Sequence, residues 1–367
     1  MNTIHDFFCT PENYKTYGIK YAGSKQKLIP YILQETFKYA PTSFLDCFSG
    51  TTRVSQSVSQ NGVRCVSNDI SLWSEVFAKT YLLQRNHKFA SEIIQHLNSV
   101  TPKRGWFTEN YCGDVCETKK VWQVKNGMKL DAIRSEIDTL NLDDNHKAIA
   151  LTSLIMALDK VDSTLGHFTS YLKQWSARSF NDLLLEVPPY LGNGLAHTVT
   201  RCDVLSDDFN NLYADVAYMD PPYGSNNEKM PSSRVRYASY YHLWTTVIKN
   251  DNPAIFGSAG RRQDSRDAVA ATPFEEFRKS DKNRYIAIEA IEKALKNVNA
   301  EYVLLSYSSG GRATAEDLTQ ILESLGTILN VTSVDYKKHI MASMSWTKDW
   351  LNAAKEQHKE FIFTLKK

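Results

Sequence analysis

Between residues 24 and 40, apolar side chains recur at helical spacing, with Leu28, Ile32 and Phe37 among them, which predicts an amphipathic helix. The pattern then changes period. Residues 43–48 form a short, nearly continuous apolar run and predict a buried strand. Gly50-Thr51-Thr52 turns into a helix through Val54 and Val58, broken at Asn61-Gly62. Residues 63–68 read as a second strand, ended by Asp69. Strand, glycine turn, helix, strand is the opening of a parallel doubly wound sheet.

Further strands are predicted at 198–204, 216–219, 301–308, 330–336 and 360–365. A helix begins at Thr314, which Asp317 marks as an N-cap, and stops at Gly326. The last two strands follow each other with no helix long enough for an obvious parallel crossover, which points to an antiparallel pair. Between Arg85 and Leu195 the α/β rhythm is interrupted. Residues 131–140 and 145–158 carry helical periodicity, so 86–195 reads as an inserted, mostly helical unit dividing 1–85 from 196–367. An insertion of this kind serves function more often than the core.

Composition narrows the class. The 367 residues allow a large core, and 42% hydrophobic with 23% charged residues is ordinary for a globular protein. No apolar run reaches the roughly 20 residues of a membrane helix. Met1–Asp6 shows no basic segment leading into an apolar stretch, so no secretory leader is expected and the expected location is cytoplasmic. Cys112 and Cys116 are the only close pair of the six cysteines, and no second pair completes a zinc set, so no metal is expected. The net charge of +2 announces no polyanion partner, but the charge is uneven. From Lys229 to Arg262 there are six basic residues (Lys229, Arg234, Arg236, Lys249, Arg261 and Arg262) and one acid, Asp251, interleaved with Tyr237, Tyr240, Tyr241 and Trp244. That mixture suits phosphate contacts beside stacked bases, and equally suits a solvated basic face.

Three motifs carry candidate chemistry. Met219-Asp220-Pro221-Pro222-Tyr223-Gly224 follows the apolar run 216–218. Two prolines supply no N–H and cannot continue a central strand, so the chain leaves the sheet rigidly at the strand's carboxyl end, where open α/β sheets bind ligands. This turn can hold a planar amine: Asp220 accepts one N–H, the Pro221 carbonyl the other, and Tyr223 stacks on the ring. The second motif, Asp46-Cys47-Phe48-Ser49-Gly50, is followed 19 residues beyond its glycine by Asp69. A strand-end glycine admits a ligand close to the backbone, and an acid at that distance suits ribose hydroxyls. It lacks the full dinucleotide fingerprint. The third, Tyr21-Ala22-Gly23-Ser24-Lys25, offers a tight turn, a cap at Ser24 and a lysine able to pair with a carboxylate.

In this order, across roughly residues 17–307, the motifs resemble the Dam-like class of N6-adenine-specific DNA methyltransferases, and residues 240–262 are similar to the FokI-type restriction-modification methylases. The resemblance implies a Rossmann-like, mostly parallel doubly wound α/β sheet of the class I S-adenosylmethionine-dependent methyltransferases, with 86–195 as target-recognition region and 225–285 as DNA-contacting loop. The partner implied is double-stranded DNA, with a cognate restriction endonuclease acting separately and no membrane.

The resemblance places Tyr21, Ala22, Gly23 and Lys25 at the methionine end of the cofactor, with Lys25 on its carboxylate. It places Asp46, Phe48, Ser49 and Gly50 under the cofactor, Asp69 on the ribose and Asp203 near the adenine. Asp220, Pro221, Pro222 and Tyr223 form the pocket for a flipped adenine, with Asp220 also facing the cofactor. Arg234, Arg236, Arg261 and Arg262 face phosphates. Thr52 departs from the pattern, standing where many relatives have a second glycine. Cytosine-N4 methylation is the rival chemistry, though those enzymes more often carry Ser in place of Asp220. Cytosine-C5 methylation lacks its Pro-Cys nucleophile here. A non-catalytic DNA-binding regulator is the rival from another class.

Overall fold

The computed structural model describes residues 15–114, 120–223, 236–335, 341–344 and 359–367. The first predicted helix is split. Residues Lys25–Lys27 form a 3-10 turn and α1 spans Ile29–Phe37. Pro30 sits in its first turn, the one part of a helix that tolerates a missing N–H. Ser24 occupies the cap position of the 3-10 turn but makes no side-chain capping bond.

Strands β1 (Ser43–Asp46) and β2 (Arg64–Asn68) flank helix α2 (Arg53–Gln60), and α3 (Leu72–Leu82) follows. The insertion supplies α4 (His87–Ser99), α5 (Trp106–Tyr111), the short parallel pair β3 (Cys112–Gly113) and β4 (Trp122–Gln123), α6 (Val124–Thr139) and α7 (Asp144–Val161). The sheet resumes with β5 (Thr198–Thr200) and β6 (Tyr213–Met219). After the double-proline turn come α8 (Tyr237–Tyr240), α9 (His242–Lys249), the hairpin β7 (Ile255–Phe256) and β8 (Arg261–Arg262), and α10 (Asp267–Ala270). The chain ends with α11 (Ile286–Asn297), β9 (Asn299–Ser308), α12 (Ala315–Leu325), β10 (Thr327–Asp335), β11 (Met341–Met344) and β12 (Lys359–Lys366).

The main sheet has the order β11-β10-β12-β9-β6-β1-β2-β5. β5, β2, β1, β6 and β9 are mutually parallel, and β12 runs antiparallel between β9 and β10. This is the mostly parallel α/β sheet the resemblance implies, and the expected antiparallel pair at the end is β10 with β12. Thr314 caps α12 through a reciprocal box with Asp317, and α12 stops at Gly326 as expected. The strand expected over 198–204 is shorter. The Asn68 side chain takes over there, accepting from Thr200 Oγ1 and Cys202 N and donating to the carbonyls of Cys47 and Cys202. From β1 the chain steps outward to β2 and β5, then crosses back to β6 on the other side of β1. That reversal opens a crevice at the carboxyl ends of β1 and β6, the place where doubly wound sheets bind ligands.

Apolar side chains pack both faces of the sheet, α1 and α2 on one side and α11 and α12 on the other. The inserted helices do not form a separate core. Phe107, Leu130, Ile133, Leu151 and Leu154 join one apolar cluster with Trp73, Phe77 and Tyr81 of α3 and with Trp244 and Val247 of α9. Arg134 of the insertion is itself buried and donates to the carbonyls of Val247 and Ile248 at 2.6 and 3.0 Å, capping the C-terminal end of α9. Beyond α7 the insertion runs without helix except for a short 3-10 turn at Ala177–Phe180.

Candidate active site

The glycine turn after β1 is built by side chains as much as by backbone. Asp46 ends β1 and is buried; its Oδ2 accepts from Ser55 N at 3.2 Å and Ser55 Oγ at 2.6 Å, locking strand to helix. Burial pushes its carboxyl up to about 7, against the Ser55 hydroxyl bond that lowers it. Gly50 has φ +49, and a Cβ there would lie 3.2 Å from the Tyr21 ring, so only glycine fits without movement. Thr52 takes a left-handed φ of 61°, unfavourable by about 1–2 kcal/mol for a residue with a Cβ. The turn holds it there through Thr52 N to Ser49 O at 2.6 Å and Gln56 Nε2 to Thr52 Oγ1 at 2.9 Å. Threonine thus stands here in a conformation that glycine adopts freely.

Asp69 closes the turn from β2. Its Oδ2 accepts Gly50 N and its Oδ1 accepts Ser71 N, each at 2.8 Å. Burial raises its pKa, and the two N–H donors oppose that shift.

Beyond β6 lies Asp220, whose side chain is 15% exposed. Its Oδ1 lies 2.9 Å from Lys25 Nζ and receives the Tyr223 hydroxyl. Lys25 also lies 3.2 Å from Oε1 of Glu360, a residue of β12 that is 2% exposed. The Tyr223 hydroxyl reaches Glu360 too, and Ser306 Oγ donates to Glu360 Oε1 at 2.8 Å. Burial is the main cause that lifts the Asp220 carboxyl to about 6; the Lys25 ammonium lowers it and the Glu360 carboxylate raises it. The Tyr223 ring packs tilted against Tyr307 at 4.8 Å, with Lys25 Nζ 4.7 Å from its centre.

A cavity of about 540 Å³ opens over these groups, lined among others by Tyr21, Phe48, Asp69, Asp203, Asp220 and Phe274. Gly23 and Pro222 border it as well. Phe48 meets Phe274 edge-on at 5.4 Å. Asp203 lies across from Asp69 in chain terms, on the segment after β5, and holds its own turn by accepting Leu205 N at 2.9 Å. Tyr21 packs against Trp73 at 5.3 Å and Tyr241 at 4.8 Å, while Ala22 N donates to the Tyr241 hydroxyl at 2.7 Å. The three sequence motifs therefore meet at one crevice. Of the predicted residues, Ala22, Lys25, Asp46, Ser49, Gly50, Pro221 and Tyr223 do not line it; Asp46, Ser49 and Gly50 shape the turn, and Lys25 and Tyr223 hold Asp220.

Tyr237, Tyr241, Trp73, Phe274 and Glu360 belong to the site and were not singled out for it by the sequence. The basic–aromatic pattern around 237–241 was a signal for the first two. Glu360 had none, since a single acid in a C-terminal strand looks like an exposed edge position.

The basic residues separate. Arg236 is turned inward, donating to Glu275 O at 2.9 Å and lying 3.4 Å from Asp267. Arg262 is 3% exposed and held by Asp251 and Asp264, so the structure does not bring it to a surface that a phosphate can reach. Arg261 is partly exposed, its guanidinium 4.6 Å from the Phe256 ring centre, with Arg266 at 4.5 Å from the same ring. Arg234 lies outside the described residues. Of the insertion's polar side chains, Lys173 and Gln174 are exposed, while Arg178 is tied to Asp162 and Lys120 to the carbonyls of Glu109 and Asn110. Lys119 is outside the described residues.

A profile of the D12 class N6 adenine-specific DNA methyltransferases matches residues 21–286, from the first motif to α11. Modification methylase StsI of Streptococcus sanguinis is 27% identical over 351 residues, 90% of this chain and 50% of that protein. Type II methyltransferase M.NlaIII of Neisseria lactamica is 25% identical over 330 residues, 87% of this chain and 92% of its own length. Type II methyltransferase M.FokI of Planomicrobium okeanokoites is 24% identical over 367 residues, 95% of this chain and 53% of its own. The chain thus spans about half the length of two of these relatives and most of the third.

Proposed function

Because the chain belongs to the D12 class of N6 adenine-specific DNA methyltransferases, we propose that it transfers a methyl group from S-adenosylmethionine to N6 of an adenine flipped out of double-stranded DNA, as the modification enzyme of a restriction-modification pair. One observation carries the reading. The carboxylate of Asp220, at the rigid end of β6, lines the cavity and already holds a nitrogen donor, the Lys25 ammonium, at 2.9 Å. A site that holds one amine there is built to accept another.

The cavity suits the methyl donor. Its volume lies within the roughly 300–1,000 Å³ of small-molecule clefts. The Asp69 carboxylate, pinned by two N–H groups, keeps lone pairs for ribose hydroxyls, and Phe48, Val204 and Phe274 form apolar walls for a planar base. Asp203 and Asp220 supply negative charge toward a cation. When bound, S-adenosylmethionine supplies an electrophilic methyl group on sulfur. Lys25, engaged by Asp220 and Glu360, supports a place beside the amine pocket better than one on the methionine carboxylate.

Adenine N6 is a weak nucleophile because its lone pair is delocalised into the ring. Asp220 and the Pro221 carbonyl accept its two N–H bonds and favour a more tetrahedral nitrogen. Orientation and fixed charge then do most of the work, with no covalent intermediate on the protein. Unstacking the base costs a few kcal/mol, which contacts in the pocket partly offset. We assign sequence reading to the insertion, through exposed side chains such as Lys173 and Gln174, and phosphate contact to Arg261. Exchanging the insertion with that of a relative moves the modified site under this reading; an active hybrid that keeps the original site rejects it.

The test is transfer of labelled methyl groups to DNA, followed by digestion to nucleosides and mass spectrometry. N6-methyladenine is expected, and Asp220→Ala abolishes it while keeping the thermal midpoint. N4-methylcytosine as the product establishes the rival chemistry; near-wild-type turnover by Asp220→Ala, or no transfer by the wild type, overturns the proposal.

A further inference from the structure

We propose that Glu360 is a positioning residue that receives the Lys25 ammonium when the target amine takes Asp220. The proposal rests on the reading that Asp220 accepts that amine. Burial alone makes Glu360 conspicuous. It is 2% exposed, in a strand whose neighbours on the same face, such as Ile362, pack into the core. A carboxylate at such a position is costly to bury, and the fold would be better served there by an apolar side chain. Its partners are Lys25, Tyr223 and Ser306, which tie it to the two residues already in contact with Asp220.

The geometry explains why a second carboxylate is needed. Lys25 Nζ lies 2.9 Å from Asp220 Oδ1 and the Tyr223 hydroxyl donates to the same oxygen, so an amine that takes Oδ1 displaces the ammonium. Displacing an ammonium from its only counter-charge inside a protein is strongly unfavourable. Glu360 Oε1 is 3.2 Å from the same Nζ, so the cation exchanges one carboxylate for the other without leaving the paired state. Ser306 Oγ, 2.8 Å from Oε1, fixes the acceptor in place. When the product leaves, Lys25 returns to Asp220.

Glu360→Gln keeps the shape and removes the charge. In the full chain it should lower kcat/KM for DNA by about 30-fold, with S-adenosylmethionine affinity unchanged and the thermal midpoint within about 2 °C. Ser306→Ala, which releases Glu360 without discharging it, should give a smaller loss in the same parameter. The decisive comparison is a double-mutant cycle with Lys25→Met. Without the ammonium, Glu360 only faces Asp220 with like charge, so adding Glu360→Gln to Lys25→Met should leave activity unchanged or raise it. Wild-type kcat/KM in Glu360→Gln overturns the proposal. So does an equal loss in both backgrounds, or a loss accompanied by a lower midpoint or weaker cofactor binding, since each makes Glu360 a structural residue. If the amine reading itself is wrong, Asp220→Ala remains active; if only this proposal is wrong, Asp220→Ala is dead and Glu360→Gln costs as much in the Lys25→Met background as in the wild type.

Discussion

Arg261 and Arg262 are neighbours in sequence, and the structure gives them opposite tasks that one pair of substitutions separates. The Arg262 guanidinium makes five hydrogen bonds, two to Asp264 at 2.6 and 2.8 Å, two to Asp251 at 2.8 and 3.1 Å and one to Thr246 Oγ1 at 3.3 Å. Breaking a fully buried ion pair costs about 3–5 kcal/mol because the abandoned charge stays dry. Here Asp251 and Asp264 are 36% and 52% exposed and can rehydrate, which lowers the cost. Lost packing of the arginine stem adds to it. Arg262→Ala is therefore expected to destabilise the fold by about 2–3 kcal/mol.

The bonds from Arg262 hold the Asp264 carboxyl below its ordinary pKa. A depressed acid stabilises the fold above its unfolded pKa of about 3.9 and loses that contribution as the pH falls through the folded value. The wild-type advantage should accordingly be full at neutral pH and shrink in acid. Urea denaturation at pH 7 and pH 3.5 measures both. Arg261, partly exposed over Phe256, should behave differently: Arg261→Ala keeps stability and lowers the slope of log affinity for DNA against log salt by about one. Arg262→Ala with wild-type stability and a flattened salt slope would refute the reasoning and return Arg262 to the phosphates.

Asp69→Ala should weaken S-adenosylmethionine binding by about 1.5–3 kcal/mol, the scale of a charged hydrogen bond, with DNA affinity in its absence little changed; unchanged cofactor binding by calorimetry removes Asp69 from the ribose role. Asp220 titrates at about 6 and accepts the amine only when ionised, among Lys25, Glu360 and Tyr223. The profile of kcat/KM should be level above that pH and fall about tenfold for each unit well below it; a flat profile down to pH 5 contradicts the assignment. Gly127 lies in the first turn of α6, and within a helix alanine normally stabilises over glycine by up to about 1 kcal/mol. A Cβ there would lie 2.1 Å from Cys112 Sγ, so Gly127→Ala should instead cost about 1–3 kcal/mol, read as a lower denaturation midpoint.

The sequence by itself determined the parts whose physics is local. Two prolines end β6 wherever the rest of the chain lies, and a glycine after β1 turns the backbone toward α2, so Asp220 and the Gly50–Asp69 turn were legible from their neighbours alone. Local chemistry also fixed the Thr314 cap and the helical period of the insertion. Tertiary structure decided what depends on distant partners. Whether an arginine is an open charge or a buried clasp depends on which acids the fold carries to it: Asp264 is a sequence neighbour of Arg262, but Asp251 meets it only across the β7–β8 hairpin. The helical period marks 86–195 as an insertion, but no local pattern records that its apolar faces pack with α3 and α9. Glu360 is the extreme case. It lies 137 residues from Tyr223 in the chain and reaches the site because β12 enters antiparallel beside β9, setting Glu360 against Ser308 and its side chain against Ser306. A strand register is a non-local quantity, set by the packing of both sheet faces together, and only the assembled sheet could place that carboxylate beside Lys25.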